Sequence, residues 1–250
     1  MTYGTLHGPA ERQHCHKEDP ALTVLSDETT GQSAHYRSHE HLLHTGDEAA
    51  YSHLIEHGFA VRYHLTLDGS RQITAIYMCG DFIDLRLCAH NPSSDGLVAM
   101  GACSTTKFRN DTMSRAALKS AVLANSLCQL SERNGAIARA WIASLGRRNA
   151  EQHLAHIICE LFLRAQAAGL TNGSQLRFPA TQAHIADMIG LSVVHTNRTL
   201  QALRAAKLVR WDRQMLSIID LDGLMDLAGF QENYLQHPGM AVPLPKMTHH

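Results

Sequence analysis

The sequence predicts an α+β fold in which an N-terminal β-roll, a long helix and a C-terminal winged helix-turn-helix follow one another. Three observations predict it. Short alternating apolar segments occupy residues 21–111, a proline-free segment with helical apolar spacing covers 112–145, and a helix-turn-helix pattern with a following hairpin fills 146–230. Residues 1–20 are polar and aperiodic, so we expect a mobile arm there, and we expect a loose tail at 231–250.

The β-roll is predicted from strands that are separated by turn residues. Residues 60–67 alternate between apolar and polar and then meet Asp68-Gly69, which is a strong hairpin signal. Residues 71–77 alternate again and end near Gly80-Asp81, and residues 51–58 form a further apolar run. Short strands with regular turns of this kind are typical of an all-β roll or barrel.

The helix at 112–145 carries a stripe with alternating spacings of four and three. Its members are Leu123, Leu127, Leu130, Asn134, Ile137 and Trp141. This spacing is typical of a coiled-coil seam and predicts a parallel dimer, with Asn134 fixing the register. The alternative is an ordinary core helix packed on its own domain. We expect Gly146 to end this helix and a second helix to run from about 149 to 168.

Two capped helices are predicted after residue 180. Thr181 is placed to cap a first helix whose apolar face is Ile185 and Ile189, and Gly190 provides a sharp turn. Ser192 is placed to cap a second helix whose inward residues are Thr196, Leu200 and Leu203. Two helices joined by a short glycine-containing turn form the DNA-binding helix-turn-helix. The runs 207–213 and 214–219 then predict a wing, and 221–230 a closing helix.

The outward side of the second helix carries side chains that can read bases. Arginine bonds guanine O6 and N7, asparagine or glutamine bonds adenine, and valine meets a thymine methyl. His195, Thr199 and Arg204 are better placed for phosphates. The predicted DNA-contacting residues are Thr181, Gln182, Ser192, Val193, Val194, His195, Asn197, Arg198, Gln201 and Arg204. The alternative is a solvated amphipathic helix pair, which does not explain the spacing of Ala186, Gly190 and Ser192.

Charge and composition agree with a partner-binding segment near the C-terminus. The net charge of the 250 residues is −1, but residues 1–70 carry ten Asp or Glu against four Lys or Arg. Residues 179–213 carry five Lys or Arg against two Asp. No segment approaches the roughly 20 apolar residues that span a bilayer, and the N-terminus lacks the apolar core of a signal peptide. We therefore expect a cytoplasmic protein with free thiols and no membrane partner.

The chain resembles the Crp/Fnr family of transcription regulators over residues 21–230. Residues 68–82 resemble its cyclic-nucleotide-binding-like β-roll, and residues 145–164 resemble the hinge and first DNA-domain helix of an α-proteobacterial subgroup. Residues 181–208 resemble its helix-turn-helix, including the run from Val194 to Thr199. The resemblance implies a homodimer on a pseudo-palindromic site, with Arg198 reading guanine. Val194 departs from several relatives, which place a glutamate there to read the other strand, so the usual half-site is in doubt.

The resemblance also bears on cofactors. Members that bind cAMP have a Gly-Glu pair and an Arg-Ser or Arg-Thr pair, whereas Asp84-Leu-Arg-Leu-Cys88 follows the Gly80-Asp81 turn here. Oxygen-sensing members hold an iron–sulfur cluster with several N-terminal cysteines, and the arm here offers only Cys15. We therefore expect neither tight cAMP binding nor an iron–sulfur cluster, and no other cofactor is indicated.

Histidine is abundant, with ten of the 18 histidines in the first 70 residues. The candidates for a metal site are His14, Cys15, His16, His35, His39, His41 and His44. No His-Glu-x-x-His motif occurs, so we expect no metal site and keep pH or metal sensing as a hypothesis. The alternatives to a regulator are a His-rich metal enzyme and a signalling module whose helix-turn-helix contacts protein. We expect no enzyme, with double-stranded DNA, a second copy and RNA polymerase as partners and gene activation as one outcome.

Overall fold

The computed structural model describes residues 30–83, 85 and 92–235, and it confirms the predicted α+β architecture. The strands are β1 (Gln32–Tyr36), β2 (His41–Leu43), β3 (Tyr51–Leu65), β4 (Arg71–Met78), β5 (Phe82–Ile83), β6 (Gly96–Arg109), β7 (Thr171–Asn172), β8 (Gln175–Arg177), β9 (Val209–Asp212) and β10 (Met215–Ile218). The helices are α1 (Asn110–Lys119), α2 (Ala121–Arg147), α3 (Ala150–Ala167), α4 (Gln182–Ile189), α5 (Val193–Ala205) and α6 (Leu221–Ala228).

The N-terminal domain is an antiparallel sheet in the order β1-β6-β3-β4, with β2 paired to β6 and β5 to β3. The predicted hairpin at Asp68-Gly69 joins β3 to β4. The two strands predicted at 51–58 and 60–67 are one strand, β3, which continues through Gly58 across a shift in its register with β6. Gly58 has φ +80°, and a Cβ there would lie 2.2 Å from the Ala102 carbonyl oxygen, so only glycine fits this irregularity.

The helix predicted over 112–145 is two helices. Ser120 takes an extended conformation between α1 and α2, and its hydroxyl accepts a hydrogen bond from the Leu123 amide at 3.3 Å. The expected stop at Gly146 is wrong, since α2 continues to Arg147 and the chain turns at Arg148. A glycine inside a helix costs only about 1 kcal/mol, so it does not end a helix by itself. Asn149 then caps α3, which begins where the sequence predicted a second helix.

The stripe predicted as a dimer seam lies inside the chain's own core. Leu123 and Leu127 are buried with Phe82 and Phe108, and Leu130 packs against the same cluster. Ile137 and Trp141 are buried in the main core. Asn134 is half-buried and donates a hydrogen bond from Nδ2 to the Phe82 carbonyl oxygen at 3.4 Å. For Leu123, Leu127, Ile137 and Trp141 the alternative of a core helix packed on its own domain holds, so the predicted seam is wrong there. Leu130 and Asn134 are only half-buried, and their place in a dimer contact stays a prediction.

One hydrophobic core joins the β-roll to the C-terminal domain. From the β-roll it contains Phe59, Val61, Tyr63, Ile73, Ile76, Met78, Val98 and Met100. The face of α3 that the sequence predicted supplies Leu154, Ile157, Ile158, Leu161 and Phe162. Phe59 of β3 and Phe178, which follows β8, meet edge to face with ring centroids 5.0 Å apart. The two domains therefore share buried apolar surface rather than only a hinge.

The C-terminal domain contains a second sheet in the order β7-β8-β10-β9. The predicted wing is the β9–β10 hairpin, and the predicted closing helix is α6. The strands β7 and β8 were not predicted, because they are only two and three residues long. The tail predicted as loose begins with a 3₁₀ turn at Glu232–Leu235, and residues 236–250 lie outside the described part.

The cysteines only partly match the expectation of free thiols. Cys103, Cys128 and Cys159 are free, whereas Cys79 is disulfide-bonded. Burial raises the pKa of the Cys159 thiol to about 12, as expected for an inert thiol in an apolar setting. Cys15 and residues 84 and 86–88, on which the iron–sulfur and cAMP expectations rest, lie outside the described residues. Among the helices that the structure describes, none is long and apolar enough to cross a membrane.

Candidate DNA-binding surface

The first helix of the motif, α4, begins at a capping box. The Thr181 hydroxyl accepts a hydrogen bond from the His184 amide at 3.2 Å, and His184 Nδ1 accepts one from the Thr181 amide at 3.2 Å. This reciprocal pair satisfies two backbone donors that the start of a helix would otherwise leave open. Thr181 and Gln182 are exposed at this start, where a phosphate group can approach backbone amides.

The turn between α4 and α5 is three residues long. Gly190 ends α4 with φ +68°, a left-handed conformation that favours glycine. The Ser192 hydroxyl then accepts a hydrogen bond from the His195 amide at 3.3 Å and so caps α5. Ile185, Ala186 and Ile189 of α4 are buried, as predicted for its inner face. The sequence-predicted helix-turn-helix is therefore confirmed.

The inner face of α5 holds the helix in place. Thr196, Leu200 and Leu203 are buried, as predicted. Thr199 is also buried, and its hydroxyl donates to the His195 carbonyl oxygen at 3.1 Å. The prediction of a phosphate contact for Thr199 is therefore wrong, because its hydroxyl bonds back into the helix.

The outer face of α5 is a row opposite to these buried residues. Val194, Arg198, Gln201 and Ala205 follow one another at spacings of four, three and four, and all are exposed. Residues at these spacings stack along one side of a helix. This row faces away from the domain, so it is the part of α5 that a major groove can receive.

Residues on both sides of the row are also accessible. Val193 and His195 are exposed in the first turn, and half-buried Asn197 donates a hydrogen bond from Nδ2 to Gln182 Oε1 at 3.2 Å. This bond links α5 to the exposed start of α4. It brings two predicted DNA-contacting residues together and orients the Asn197 amide.

Arg204 occupies a different position from the one predicted. It is half-buried, and Nη2 donates a hydrogen bond to the Trp211 carbonyl oxygen in β9. Its guanidinium thus links the last turn of α5 to the wing. The exposed basic residues near this end of the surface are Arg177, Lys207, Arg210 and Arg213. Arg177 was missed because β8 gives no periodic signal; its register partner in β10, Met215, also pairs with Asp212 of the wing.

Comparison with known proteins assigns a family to this arrangement. A model of the Crp-like helix-turn-helix domain matches residues 152–227, and a model of the cyclic nucleotide-binding domain matches residues 33–120. The nitrogen fixation regulation protein FixK of Bradyrhizobium diazoefficiens is 28% identical over 185 residues, which cover 73% of this chain and 76% of FixK. The chain belongs to the Crp/Fnr family of transcription regulators.

Further relatives agree with this assignment. The fumarate and nitrate reduction regulatory protein of Escherichia coli K12 is 25% identical over 194 residues, covering 77% of this Crp/Fnr protein and 76% of its relative. The structure of FixK2 from Bradyrhizobium japonicum superposes with a TM-score of 0.72 at 21% identity, covering 79% of this chain and 97% of FixK2. This second likeness shows the shared fold. The protein is therefore a DNA-binding transcription regulator of the Crp/Fnr type.

In this Crp/Fnr protein, α4 is fastened to the edge of the β-roll. Arg71 of β4 forms an ion pair with Asp187 at 2.6 Å, and Gln72 donates from Nε2 to the Met188 carbonyl oxygen at 3.1 Å. The rings of His39 and His184 have centroids 5.5 Å apart. Burial lowers the pKa of His184 to about 4, and the positive charge of Arg71 acts in the same direction. These contacts fix the orientation of the helix-turn-helix relative to the β-roll.

A buried charge cluster forms a second junction between the domains. Asp81, in the turn before β5, accepts hydrogen bonds from Arg133 of α2 and from Arg164 of α3, the latter at 2.6 Å. Arg164 also donates to the Ile76 carbonyl oxygen and to Glu160. Burial alone raises the pKa of Asp81, but the charges of Arg164 and Arg133 outweigh it and hold the pKa below its ordinary value. Asp81 thus connects the β-roll to both helices.

Glu160 completes this cluster on the side of the C-terminal domain. Besides Arg164, it accepts hydrogen bonds from Trp141 Nε1 and from the Tyr234 hydroxyl, both at 3.0 Å. Burial raises the pKa of Glu160, although Arg164 opposes this effect. The carboxylate therefore ties α2, α3 and the final 3₁₀ turn together.

The predicted metal candidates do not converge. Within residues 30–83, 85 and 92–235, no three His, Cys, Asp or Glu side chains are grouped as a metal site. His41 and His44 stack with centroids 4.1 Å apart, while His39 lies against His184 instead. His14, Cys15 and His16 lie outside the described part of the chain.

Proposed function

We propose that this regulator binds a pseudo-palindromic DNA site as a homodimer, with the outer row of α5 in the major groove of each half-site. The observation that carries the proposal is the exposed row Val194, Arg198 and Gln201, opposite a fully packed inner face. Arg198 would bond a guanine, and the wing arginines would bond phosphates. Such a regulator works where the chromosome is, which supports a cytoplasmic location.

The dimer is proposed to form along a second stripe of α2, shifted by one residue from the buried stripe. Its members are Ala121, Ala124, Cys128, Ser131, Gly135, Ala138, Ile142 and Leu145, and their spacings alternate three and four without interruption. Ile142 is 69% exposed and Leu145 is 43% exposed, although both are large and apolar. A sustained spacing of this kind is suited to a parallel helix pair, and small residues allow close approach. The usual dimeric state of Crp/Fnr regulators supports a second copy as the occupant.

Cys128 offers a direct test of this dimer, because it lies mid-stripe and is exposed. Residues on a two-fold axis face their own counterparts, so we expect a mild oxidant to join Cys128 of two copies. Denaturing electrophoresis without reductant should show a band of twice the mass, absent from Cys128→Ser. The dimer of Cys128→Ser should persist in light scattering. A covalent dimer that survives in Cys128→Ser would place the contact elsewhere.

The remaining parts of the proposal concern the signal and its output. We infer that a change at the β-roll reaches α5 through the Asp81 cluster and the contacts of α4, and that the bound dimer then contacts RNA polymerase and activates or represses transcription. We propose that cAMP is not the signal, since residues 84–88 lack the family's ribose and phosphate contacts. Saturable micromolar binding of cAMP in calorimetry would overturn this part. No observation favours a catalytic role.

The central test is a gel-shift titration against promoter fragments at two salt concentrations. Binding should be sequence-specific and should weaken as salt rises, because phosphate contacts release counterions. Arg198→Ala should lower affinity for the selected site by about 10- to 100-fold and relax the choice of its guanine. Arg115→Ala, an exposed arginine on α1, is the matched control and should bind normally. Equal affinities of Arg198→Ala and wild type would contradict the proposed function.

A further inference from the structure

The first turn of α5 presents two exposed valines on an otherwise polar surface. Val193 is 40% exposed, and Val194, at 66%, is the most exposed large apolar side chain between residues 150 and 235. No acidic residue lies in this turn. Isolated apolar side chains are common on protein surfaces, but these two stand at the end of a helix where contacts with bases are made. Because valine side chains make only apolar contacts, we expect an apolar group of the bound DNA to lie against this end of the helix.

The geometry of α5 separates the two valines. Val194 lies at the centre of the outer row, on the same side as Arg198, whereas Val193 lies to one side of it. Residues four apart on a helix have Cβ atoms about 6 Å apart. Successive base pairs are about 3.4 Å apart, so Val194 and Arg198 can reach base pairs one or two steps from each other.

The chemistry of Val194 restricts what it can read. Valine has no hydrogen-bonding group, and in the major groove only thymine presents a methyl group. Opposite a cytosine amino group, valine would displace water from a donor without replacing the hydrogen bond, which is unfavourable. A glutamate in the same place would instead accept a hydrogen bond from that cytosine donor. The valine therefore favours a different base from the glutamate.

We propose that Val194 reads the 5-methyl group of a thymine that lies one or two base pairs from the guanine read by Arg198. This inference rests on the proposed function, because it assumes that the outer row of α5 enters the major groove. It identifies Val194 as a specificity-determining residue. It also predicts that the half-site contains thymine at a position where a glutamate would select cytosine.

The test begins with sites selected from a random duplex pool by the full-length protein. Each thymine near the guanine is then replaced by deoxyuridine, which differs only in lacking the methyl group. At one position we expect about a four-fold rise in Kd per half-site, and about 15-fold when both half-sites are changed, as for the loss of one buried methyl. Val194→Ala should bind the thymine and uracil sites alike. Val122→Ala, which shortens an exposed valine on α2 away from the DNA-binding surface, is the matched control and should keep the wild-type discrimination.

Methylation of cytosine provides the reverse measurement. With a C·G pair at that position, a 5-methyl group on the cytosine should tighten binding by wild type and leave Val194→Ala unchanged. If deoxyuridine at every thymine leaves Kd within 1.5-fold while sequence-specific binding persists, the inference fails and the proposed function stands. If no sequence is selected from the pool at all, both fail.

Discussion

His184 shows how one side chain can serve both a helix end and a domain contact. Its Nδ1 accepts the Thr181 amide, so the ring must be neutral at that nitrogen for the capping box to form. The groups that face it from the elements around it are Arg71, His39 and Asp187, of which only the aspartate favours protonation. The local sequence predicted the cap at Thr181, because caps are set by residues a few positions apart. The local sequence could not predict the contact between His184 and His39 of the β-roll.

The first prediction is that protonation of His184 makes the protein less stable in acid. The pKa of His184 is about 4 in the folded protein and is near 6.5 in an unfolded chain, so the unfolded state binds more protons between these values. The contribution of neutral His184 to the stability of the folded protein is therefore complete above about pH 6.5, and it is lost as the pH falls toward 4. Between pH 7 and pH 5 this group should lower the free energy of unfolding by about 1–2 kcal/mol.

Urea denaturation at the two pH values measures this loss. His184→Gln removes the titration and keeps a residue suited to the capping box, so its loss on acidification should be smaller than that of wild type. His57→Gln changes an exposed histidine and serves as the control. Identical losses in wild type and His184→Gln would show that the ring does not sense acid.

At the scale of helices and strands, the turns and caps could be predicted from the sequence, whereas the packing partner of α2 could not. The turn at Gly190, the caps at Thr181 and Ser192 and the start of α3 were all predicted, since each depends on neighbouring residues. The partner of α2 was not predicted. A heptad spacing states which residues share a face but not what covers that face, and the leucine-rich face is covered by the β-roll. The proposed dimer stripe from Ala121 to Leu145 was not predicted, because alanine, serine and glycine give a weak apolar signal.

The second prediction concerns Asp81, which joins three elements. Asp81→Asn removes the charge that faces two buried guanidiniums, and breaking a buried ion pair from one side typically costs about 3–5 kcal/mol. We expect a loss of this size in the free energy of unfolding, measured by urea denaturation. Asp111→Asn, which alters an exposed pair with Arg109, should change stability little. Similar losses in the free energy of unfolding for both variants would mean that the Asp81 cluster stabilises the protein no more than an exposed ion pair does.

At the scale of the whole molecule, the largest hydrophobic core includes residues of both domains, and this sets how the protein unfolds. Trp141 in α2 and Trp211 in β9 both belong to that core, although they lie in different parts of the chain. The sequence predicted two domains, because its texture changes near residue 108. It could not show that residues such as Phe59 and Phe178 pack together across the boundary, since contacts so distant in sequence leave no local pattern.

The third prediction is a single cooperative transition. The chain contains two tryptophans, so Trp141→Phe and Trp211→Phe each leave one fluorescent reporter. In urea, the fluorescence of each variant and its far-ultraviolet circular dichroism should give the same midpoint. Two separated transitions, one for each reporter, would indicate domains that unfold independently. Trp211→Phe should be the milder change, since Trp141 Nε1 bonds Glu160 whereas the structure gives Trp211 Nε1 no acceptor.

The shared core also limits how this protein can be cut or recombined. A fragment starting at Asn149 would leave Phe178 without Phe59 and would bring this part of the shared core into water, where it would promote aggregation. A chimaera that takes its sensory half from a relative would need matching shapes opposite Phe178 and Pro179, where β3 and Gly101 now fit. The unit that can be exchanged between such proteins is therefore the recognition helix with its turn, and not the DNA-binding half as a block.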